Sequence, residues 1–481
     1  MNRTIWMVNA LALGAILLSG CGLKARYQPP VAPQIQGDTE WNTQLEAGAL
    51  AKTADDDALS HWWSVFGDPN LTSLEERALK SNLDLRKAQT EIRQARANRD
   101  YYSANLFPSV TGTLTGGGSK TAYRPSASGG SSGYSGSTAG SSNSLEFQAS
   151  WEPDIWGRIR KDVASYDATY QSQKENLRNT MVTLTADLAL DYIDVRSYQA
   201  QLAVTRSNLV KYRETYEMTV EKRDSGLASD LDVQQALETV QSTEATIPTL
   251  ETSLHQSLDA ISVLLGERPG AVGRELAEVK PIPVIPLEVA VGIPGDLIRR
   301  RPDVRVAERQ YAAQWMQVGV AKANLYPTLN IGGTFTASAT SFLNVFTSSA
   351  TAISSVTGSL QQTILNRRAL RAQVRLQNAL LDQYEVTYES TVLGAIQDVE
   401  DSLKAFEAEQ TRRRSLAQAA DSARNAAEIS RTLYASGLKD FLTVLDSERT
   451  ELSAEDSLVQ SDATVAENLV RLYRSLGGGW Q

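Results

Sequence analysis

Two long stretches of the chain contain no proline and are rich in residues that favour helices. They cover residues 157–225 and 366–436. A continuous helix of that length would be on the order of 100 Å long, at ~1.5 Å per residue. Helices of ordinary globular domains run to roughly 8–20 residues, so we expect these two to pack side by side as a coiled-coil rod or tube. Apolar residues of the second stretch recur at helical spacing: Leu381, Tyr384, Tyr388, Val392, Ile396, Val399, Leu403 and Phe406.

Each of these stretches ends at a glycine that follows a serine, Gly226 in the first and Gly437 in the second. Glycine is common at the left-handed position that closes a helix, because it has no Cβ. A helical pattern then resumes over residues 230–265 and 442–476, with Pro248 expected to kink the first of these return helices. The sequence therefore predicts two antiparallel helical hairpins.

The chain repeats itself once. Residues 321–330 read AKANLYPTLN and residues 102–111 read YSANLFPSVT, an offset of 219, while the Ser-Gly-Leu turns recur at an offset of 211. Two markers in the same order indicate a tandem duplication. We predict a first repeat over 61–280 and a second over 281–481, with the glycine- and serine-rich segment 116–143 accounting for the extra length of the first.

Between the short and the long helix of each repeat, the period of the pattern changes from 3.6 to 2. Residues 144–152 read SLEFQASWE, which places Leu145, Phe147, Ala149 and Trp151 on one face and polar residues on the other. This alternation predicts a β-strand. Three further segments follow the same pattern, the last of them more weakly: 109–115, 328–336 and 356–364.

Strands with one apolar and one Ser/Thr/Gln face are typical of a membrane β-barrel with a wet lumen. The alternative is an ordinary antiparallel sheet with one solvated side. Long flanking helices cannot cover a sheet face, which favours the barrel. Four strands cannot close a barrel, since about eight is the smallest common size, so several copies of the chain must combine.

The N-terminus has the pattern of an export signal. Residues 1–20 contain Arg3, then an apolar run, then Leu-Ser-Gly directly before Cys21, the single cysteine of the chain. This order is similar to a bacterial lipoprotein cleavage site, so we expect Cys21 to carry lipid after removal of residues 1–20. Gly22 in place of an aspartate favours the outer membrane. Residues 21–60 then form an extended, lipidated arm.

Composition excludes several classes of function. The formal net charge is −9 and no long Lys/Arg run occurs, so nucleic acid is not expected as a partner. The two histidines, His61 and His255, lie in unrelated segments, and no metal-ligand spacing is present. We therefore expect no enzyme activity, no metal and no cofactor beyond the lipid on Cys21.

Several motifs together resemble the TolC-like outer-membrane efflux family, and specifically its NodT-type lipoprotein branch, which is paired with RND pumps. They span almost the whole mature chain. The motifs are LSGC at 18–21, WW at 62–63 with DP at 68–69, NLFP at 105–108, WEPDIWGR at 151–158, GIPGDL at 292–297 and RRPDV at 300–304.

The resemblance implies a mixed α+β fold and a homotrimer. Three copies of four strands would make one 12-stranded membrane barrel, continuous with a long periplasmic α-helical barrel. Its implied partners are a periplasmic adaptor (membrane fusion) protein, an inner-membrane RND transporter and outer-membrane lipid. The location implied is the outer membrane of a Gram-negative cell, lipid-anchored and barrel-inserted, with a large periplasmic portion.

The resemblance also implies a periplasmic gate. Asp446 falls on the constricting acidic position of the family, and Thr443 stands where some relatives carry a second acid. Asp232, Tyr434 and Lys439 match positions that clasp neighbouring hairpins shut. The helix-tip turns at Gly226 and Gly437 would serve as caps and as contact surface for the adaptor.

The expected function is that of a passive exit duct for drugs or other small toxic compounds in a tripartite efflux system. Two alternatives remain open at this point: a conduit for protein or peptide secretion, and a coiled-coil lipoprotein without a pore. The sequence does not name the exported compound.

Overall fold

A computed structural model describes residues 27, 29–30, 59–122, 137–283, 300–347 and 349–480. Cys21, most of the predicted arm and the motif at 292–297 lie outside the described residues.

Helices and strands follow one another in the same order twice along the chain. Each time, a helix leads into a β-hairpin, which is followed by a long helix and a return helix. The first repeat contains α1 (Pro69–Ser81), α2 (Leu83–Ser103), β1 (Ser109–Ala122), β2 (Ser137–Trp151), α3 (Arg158–Asp224) and α4 (Asp230–Leu264). The second contains α5 (Pro302–Ala323), β3 (Thr328–Ala339), β4 (Thr351–Gln361), α6 (Arg367–Ala435) and α7 (Phe441–Ser475).

The long helices and their return helices are confirmed. Helix α3 has 67 residues and α6 has 69, each within a residue of its predicted bounds. The return helices α4 and α7 have 35 residues each, and Pro248 lies inside α4 without ending it. Within the described ranges, no helix has both the length and the apolar character that a membrane span requires.

The four strands form one antiparallel sheet in the order β1-β2-β3-β4. The strands of the first hairpin are longer than predicted, because residues 116–122 and 137–143 of the glycine- and serine-rich segment continue the ladder. Backbone hydrogen bonds do not depend on apolar side chains, so the alternation of apolar and polar residues does not reveal these extensions of the strands. Strand β4 begins five residues before its predicted start and ends at Gln361.

The register places apolar side chains opposite one another on a single face of the sheet. Leu114 pairs with Leu145, Phe147 with Phe335, and Leu329 with Leu360. Antiparallel partners point to the same side of a sheet, so these six residues share a face. Leu114, Phe147, Phe335 and Leu360 are exposed, at 44–70%, and the other two are half-buried. In a single chain this face is therefore largely uncovered.

The duplicated Asn-Leu-Phe/Tyr-Pro motif marks the entry to each hairpin. Pro108 and Pro327 stand directly before the first residue of β1 and of β3. The indole Nε1 of Trp156 donates to the carbonyl oxygen of Pro327 at 2.7 Å, and its ring stacks on Tyr326 with centroids 4.9 Å apart. The second junction is thus fixed by the Trp-Gly-Arg segment before α3.

The chain divides into two compact units. One takes in residues 27 and 29–30 with the described residues of Arg93–Gln171 and Glu308–Val386, and contains the sheet. The other takes in the described residues of Val31–Ile92, Ser172–Ala307 and Thr387–Gln481, and contains the main hydrophobic core. In that core Trp62, Leu71 and Leu74 pack with apolar residues of α3, α4 and α7. Asp68 caps α1 by accepting from the backbone N–H of Asn70, and Pro69 is the first residue of the helix.

Gly266 offers a test of this packing. Its φ is +72°, and an added Cβ would lie 2.8 Å from the carbonyl oxygen of Ser81. Gly67 has a similar φ of +61° with open space around it. We expect Gly67→Ala to cost only the left-handed penalty of about 1–2 kcal/mol. Gly266→Ala adds a backbone clash and should lower the Tm clearly further, as followed by far-UV circular dichroism. Equal Tm shifts in the two variants would contradict the close approach.

Candidate functional site at the helical turns

The turns that join each long helix to its return helix have the same backbone construction. Gly226 and Gly437 adopt φ values of +73° and +75°. The next residues, Leu227 and Leu438, donate their backbone N–H groups to carbonyl oxygens five residues earlier, at 2.7 and 2.8 Å. This is the pattern of a glycine-closed helix end. The predicted left-handed glycines are therefore confirmed at both tips.

The residues that cap the return helices differ between the two turns. Ser229 caps α4, and Asp232 accepts from both the backbone N–H and the hydroxyl of Ser229 at 2.8 Å. At the same place in the second turn, Asp440 caps α7 and accepts from the N–H of Thr443 at 2.8 Å and from its hydroxyl at 2.6 Å. These hydrogen bonds, the hydroxyl one foremost, lower the pKa of Asp440. Asp232 and Thr443 thus occupy equivalent positions and both serve the caps.

Tyr434 connects the two hairpins. It is buried near the end of α6, and its hydroxyl donates to the hydroxyl of Thr219 on α3 at 3.3 Å. Lys222, also on α3, lies 4.8 Å above its ring and donates to the carbonyl oxygen of Ala435 at 3.3 Å. Burial raises the pKa of Tyr434, and the charge of Asp232 raises it further. The structure therefore brings Asp232 and Tyr434 into electrostatic range.

A small apolar cluster lies beneath both turns. It consists of Ala236 from α4, Tyr434 from α6 and three residues from the start of α7, namely Phe441, Val444 and Leu445. The Tyr434 and Phe441 rings meet edge to face at 6.0 Å. The cluster holds the start of α7 against both α6 and the first hairpin.

The two remaining predicted residues lie on the surface of the single chain. Lys439 is exposed within the second turn, where its charge slightly lowers the pKa of Asp440. Asp446 is exposed on α7, and its carbonyl oxygen accepts from the hydroxyl of Thr450 at 2.8 Å.

Sequence reasoning missed Thr219 and Lys222, the partners of Tyr434. No motif marks them, because both lie within the long helix α3, whose repeating pattern does not single them out. The repeat offset gives one signal: Thr219 corresponds to Ser430, so both hairpins place a hydroxyl there.

Across the described ranges, no group of three or more His, Cys, Asp or Glu side chains is arranged to hold a metal ion.

A model of the outer membrane efflux protein family matches residues 74–267 and again residues 293–478. The chain belongs to this family. The double match agrees with the duplication seen in the sequence. It is accordingly a protein of the outer membrane, and its family is one of efflux proteins.

Curated relatives cover nearly the whole chain. Nodulation protein T of Rhizobium leguminosarum bv. viciae is 32% identical over 476 residues, which cover 98% of this chain and 93% of the relative. The probable efflux pump outer membrane protein TtgC of Pseudomonas putida is 31% identical over 476 residues, covering 98% of this chain and 95% of the relative.

A solved structure shares the fold. The structure of the outer-membrane channel OprN matches with a TM-score of 0.83 and 32% identity, covering 96% of this chain and all of that one. The mixed α+β architecture predicted from the sequence is thereby confirmed.

Tyr434 gives a test of the link between hairpins. Tyr434→Ala removes a buried ring, which typically costs about 3–5 kcal/mol, whereas Tyr434→Phe loses only a hydrogen bond of about 0.5–1.5 kcal/mol. We expect the initial rate of tryptic cleavage after Lys439, measured on the purified full chain, to rise at least about tenfold for alanine. Phenylalanine should raise it only a few-fold. Equal rates for wild type and Tyr434→Ala would show that Tyr434 does not hold the turn.

Proposed function

We propose that three copies of this chain assemble into one shared duct: a 12-stranded barrel in the outer membrane continued by a periplasmic tube of helices. The single observation that carries this proposal is the sheet. Its end strands β1 and β4 each have one edge unpaired within the described chain. Because the four strands follow one another antiparallel, β1 and β4 run in opposite directions. Strand β4 of one copy can therefore pair antiparallel with β1 of the next copy, which continues the up-and-down order of the sheet.

The two faces of the sheet agree with this assembly. The apolar face carries Leu114, Phe147 and Leu360 and suits lipid. The opposite face is polar: Thr113 pairs with Glu146, and the hydroxyls of Thr334 and Ser355 hydrogen-bond at 2.7 Å. Closure of the sheet with the polar face inward gives a wet lumen.

The gate is proposed at the start of α7. Three copies of Asp446 would form a ring of carboxylates, and Thr443 would lie one turn before it. Such a ring favours cations. Tyr434, Asp232 and Lys439 are proposed as the clasp, with Tyr434 reaching the neighbouring hairpin of its own chain. Lys439 is proposed to face another copy.

The two turns also offer a contact surface for a periplasmic adaptor. Leu227, Leu231, Leu438 and Leu442 are all more than half exposed around the turns at Gly226 and Gly437. Exposed leucines on helix tips suit a partner that presents an apolar surface of its own. We propose that the adaptor joins the duct to an inner-membrane RND transporter, which supplies the energy, and that the duct itself performs no chemistry.

The exported compounds are proposed to be small organic molecules. The names of relatives refer to toluene, antibiotic and pyoverdine export. A polar duct contacts its cargo weakly, so the choice of cargo is assigned to the transporter. Secretion of protein is the second candidate. A coiled-coil protein without a pore is disfavoured, because it would have no use for the exposed apolar sheet face.

Ion selectivity tests the gate. In planar bilayers, the purified channel should prefer K⁺ over Cl⁻, and Asp446→Asn should reduce that preference because it removes a ring of three charges. Asp230→Asn is the matched control: this acid is also exposed at a helix start, but in the other hairpin. The assignment of Asp446 fails if both variants keep the wild-type reversal potential, or if both lose it equally.

Deletion of the gene tests the efflux role. We expect the deleted strain to become sensitive to at least one class within a panel of antibiotics, dyes, detergents and solvents, and the wild-type gene to restore growth. Cys21→Ser should lack the lipid in intact-mass measurements of the purified protein, and should restore growth less well, because a multi-chain anchor adds ~0.8 kcal/mol per buried methylene. An unlipidated wild-type protein would refute the assignment of Cys21.

A further inference from the structure

Two carboxylates on α7, shortly after the proposed gate residue Asp446, are buried. Glu448 is 2% exposed and Glu451 is fully buried, and they lie three residues apart on one face of the helix. Carboxylates are almost never buried without a partner, because removing a charge from water is costly. Their surroundings therefore need an explanation.

The partners of these carboxylates come from both hairpins. Glu451 contacts Lys211 of α3 at 2.7 Å and Arg431 of α6 at 3.3 Å. Glu448 accepts from the hydroxyl of Thr215 on α3 at 2.6 Å, and Arg431 lies 3.7 Å away. The return helix of the second hairpin is thus tied to the long helix of the first by buried polar contacts.

The two carboxylates are not equally compensated. Glu451 pairs with the two cations Lys211 and Arg431 at 2.7 and 3.3 Å. Glu448 instead contacts the neutral hydroxyl of Thr215, and its distance to Arg431 is longer, at 3.7 Å. Tyr212 of α3 also faces this site, and donates its hydroxyl to the carbonyl oxygen of Glu448 at 3.0 Å. Burial raises the pKa of Glu448 to about 7; Thr215, Arg431 and Lys211 act against that rise, and Glu451 adds to it.

The duplication shows that helix packing alone does not require these charges. At the offset of 211, Glu448 corresponds to Leu237, Glu451 to Val240, and Arg431 to Val220. The first repeat therefore builds the same helical hairpin with apolar residues at all three places. Buried ion pairs are often no more stabilising than apolar residues of similar size, so their presence in one repeat only points to a specific role.

We propose that Glu448, Glu451, Lys211 and Arg431 form a latch that holds α7 against α3, and that loss of a proton from Glu448 loosens it. The inference rests on the proposed gate, because α7 also carries Asp446. Separation of α7 from α3 would expose Glu448 to water and return it to the ordinary affinity of a glutamate for protons. The latched form binds the proton more tightly, so acid favours it and base favours separation.

The expected size follows from the two proton affinities. With a glutamate of ordinary pKa in the separated form, the ratio of separated to latched chains should rise about tenfold per chain from pH 6 to pH 8. We would measure hydrogen exchange of the α7 backbone amides over residues 444–452 in the purified full chain, corrected for the intrinsic exchange rate at each pH. Protection should fall about tenfold across that range in the wild type.

Three variants define the origin of that fall. Glu448→Gln keeps a hydrogen-bonding group but cannot titrate, so its protection should not change with pH. Glu238→Gln is the matched control, because Glu238 also joins the hairpins, through Arg449 at 2.6 Å, but both side chains are exposed. It should behave as the wild type, since exposed pairs contribute little. The triple variant Glu448→Leu, Glu451→Val and Arg431→Val copies the first repeat, and should fold and show no pH dependence.

The outcomes separate the latch from the duct. A pH-dependent protection that Glu448→Gln abolishes supports the latch, even if the purified protein forms no conducting channel, in which case the proposed function fails by itself. The latch is overturned if Glu448→Gln retains the wild-type pH dependence. It is also overturned if the protection of the wild type does not change with pH, and single-channel recordings then show separately whether the duct exists. If Glu448→Gln does not fold, the triple variant provides the same comparison.

Discussion

The uncovered apolar face of the four-stranded sheet is the constraint on which the remaining architecture depends. Side chains such as Val356, which is 84% exposed, and Leu360 would meet water in an isolated chain. Apolar surface contributes ~25 cal/mol per Å² when it leaves water, so the face needs lipid or protein against it. The open edges of β1 and β4 impose a second requirement, since unpaired strand edges invite another strand. A closed barrel made from several chains in a membrane satisfies both at once.

Duplication supplies two hairpins with one backbone plan and different chemistry. The glycine turns, the 35-residue return helices and the capped helix starts coincide at an offset of 211. Side chains at equivalent places do not. Ser229 and Asp232 are replaced by Asp440 and Thr443, and the apolar pair Leu237 and Val240 by two buried glutamates. The common plan suits the proposed tube, and the differences confine the proposed gate and latch to the second hairpin.

The sequence predicts helices and strands well where a periodic pattern is bounded by residues that end a helix or form a turn. Both long helices were placed within a residue, because proline is absent inside them and Gly226 and Gly437 end them. The sequence predicts the strands but underestimates the length of the first hairpin, since the ladder continues through Gly116–Ser119 and the facing residues, where no apolar side chain marks it. Helix α1 ends at Ser81, and Asn82 separates it from α2.

The candidate site was only partly accessible from the sequence. Its turn glycines follow from local rules of helix ending, whereas Asp446, Tyr434 and Lys439 came from resemblance to a family. The partners Thr219 and Lys222, and the cations around Glu451, could not be predicted from local sequence. Thr219, Lys222 and Lys211 lie more than 200 residues from the groups they contact, on a different hairpin, and only the packing of α3 against α6 and α7 brings them together. Arg431 precedes Glu451 by only 20 residues, but no motif marks the pair.

The central claim is that three chains share one duct, and single-channel recording from mixed assemblies tests it most directly. Wild-type and Asp446→Asn chains would be co-expressed with different tags, and reversal potentials measured channel by channel. A shared duct of three chains predicts four discrete classes of ion selectivity, for channels with zero, one, two or three substituted chains. Only two classes, equal to those of the pure proteins, would mean that each chain conducts by itself and would contradict the account.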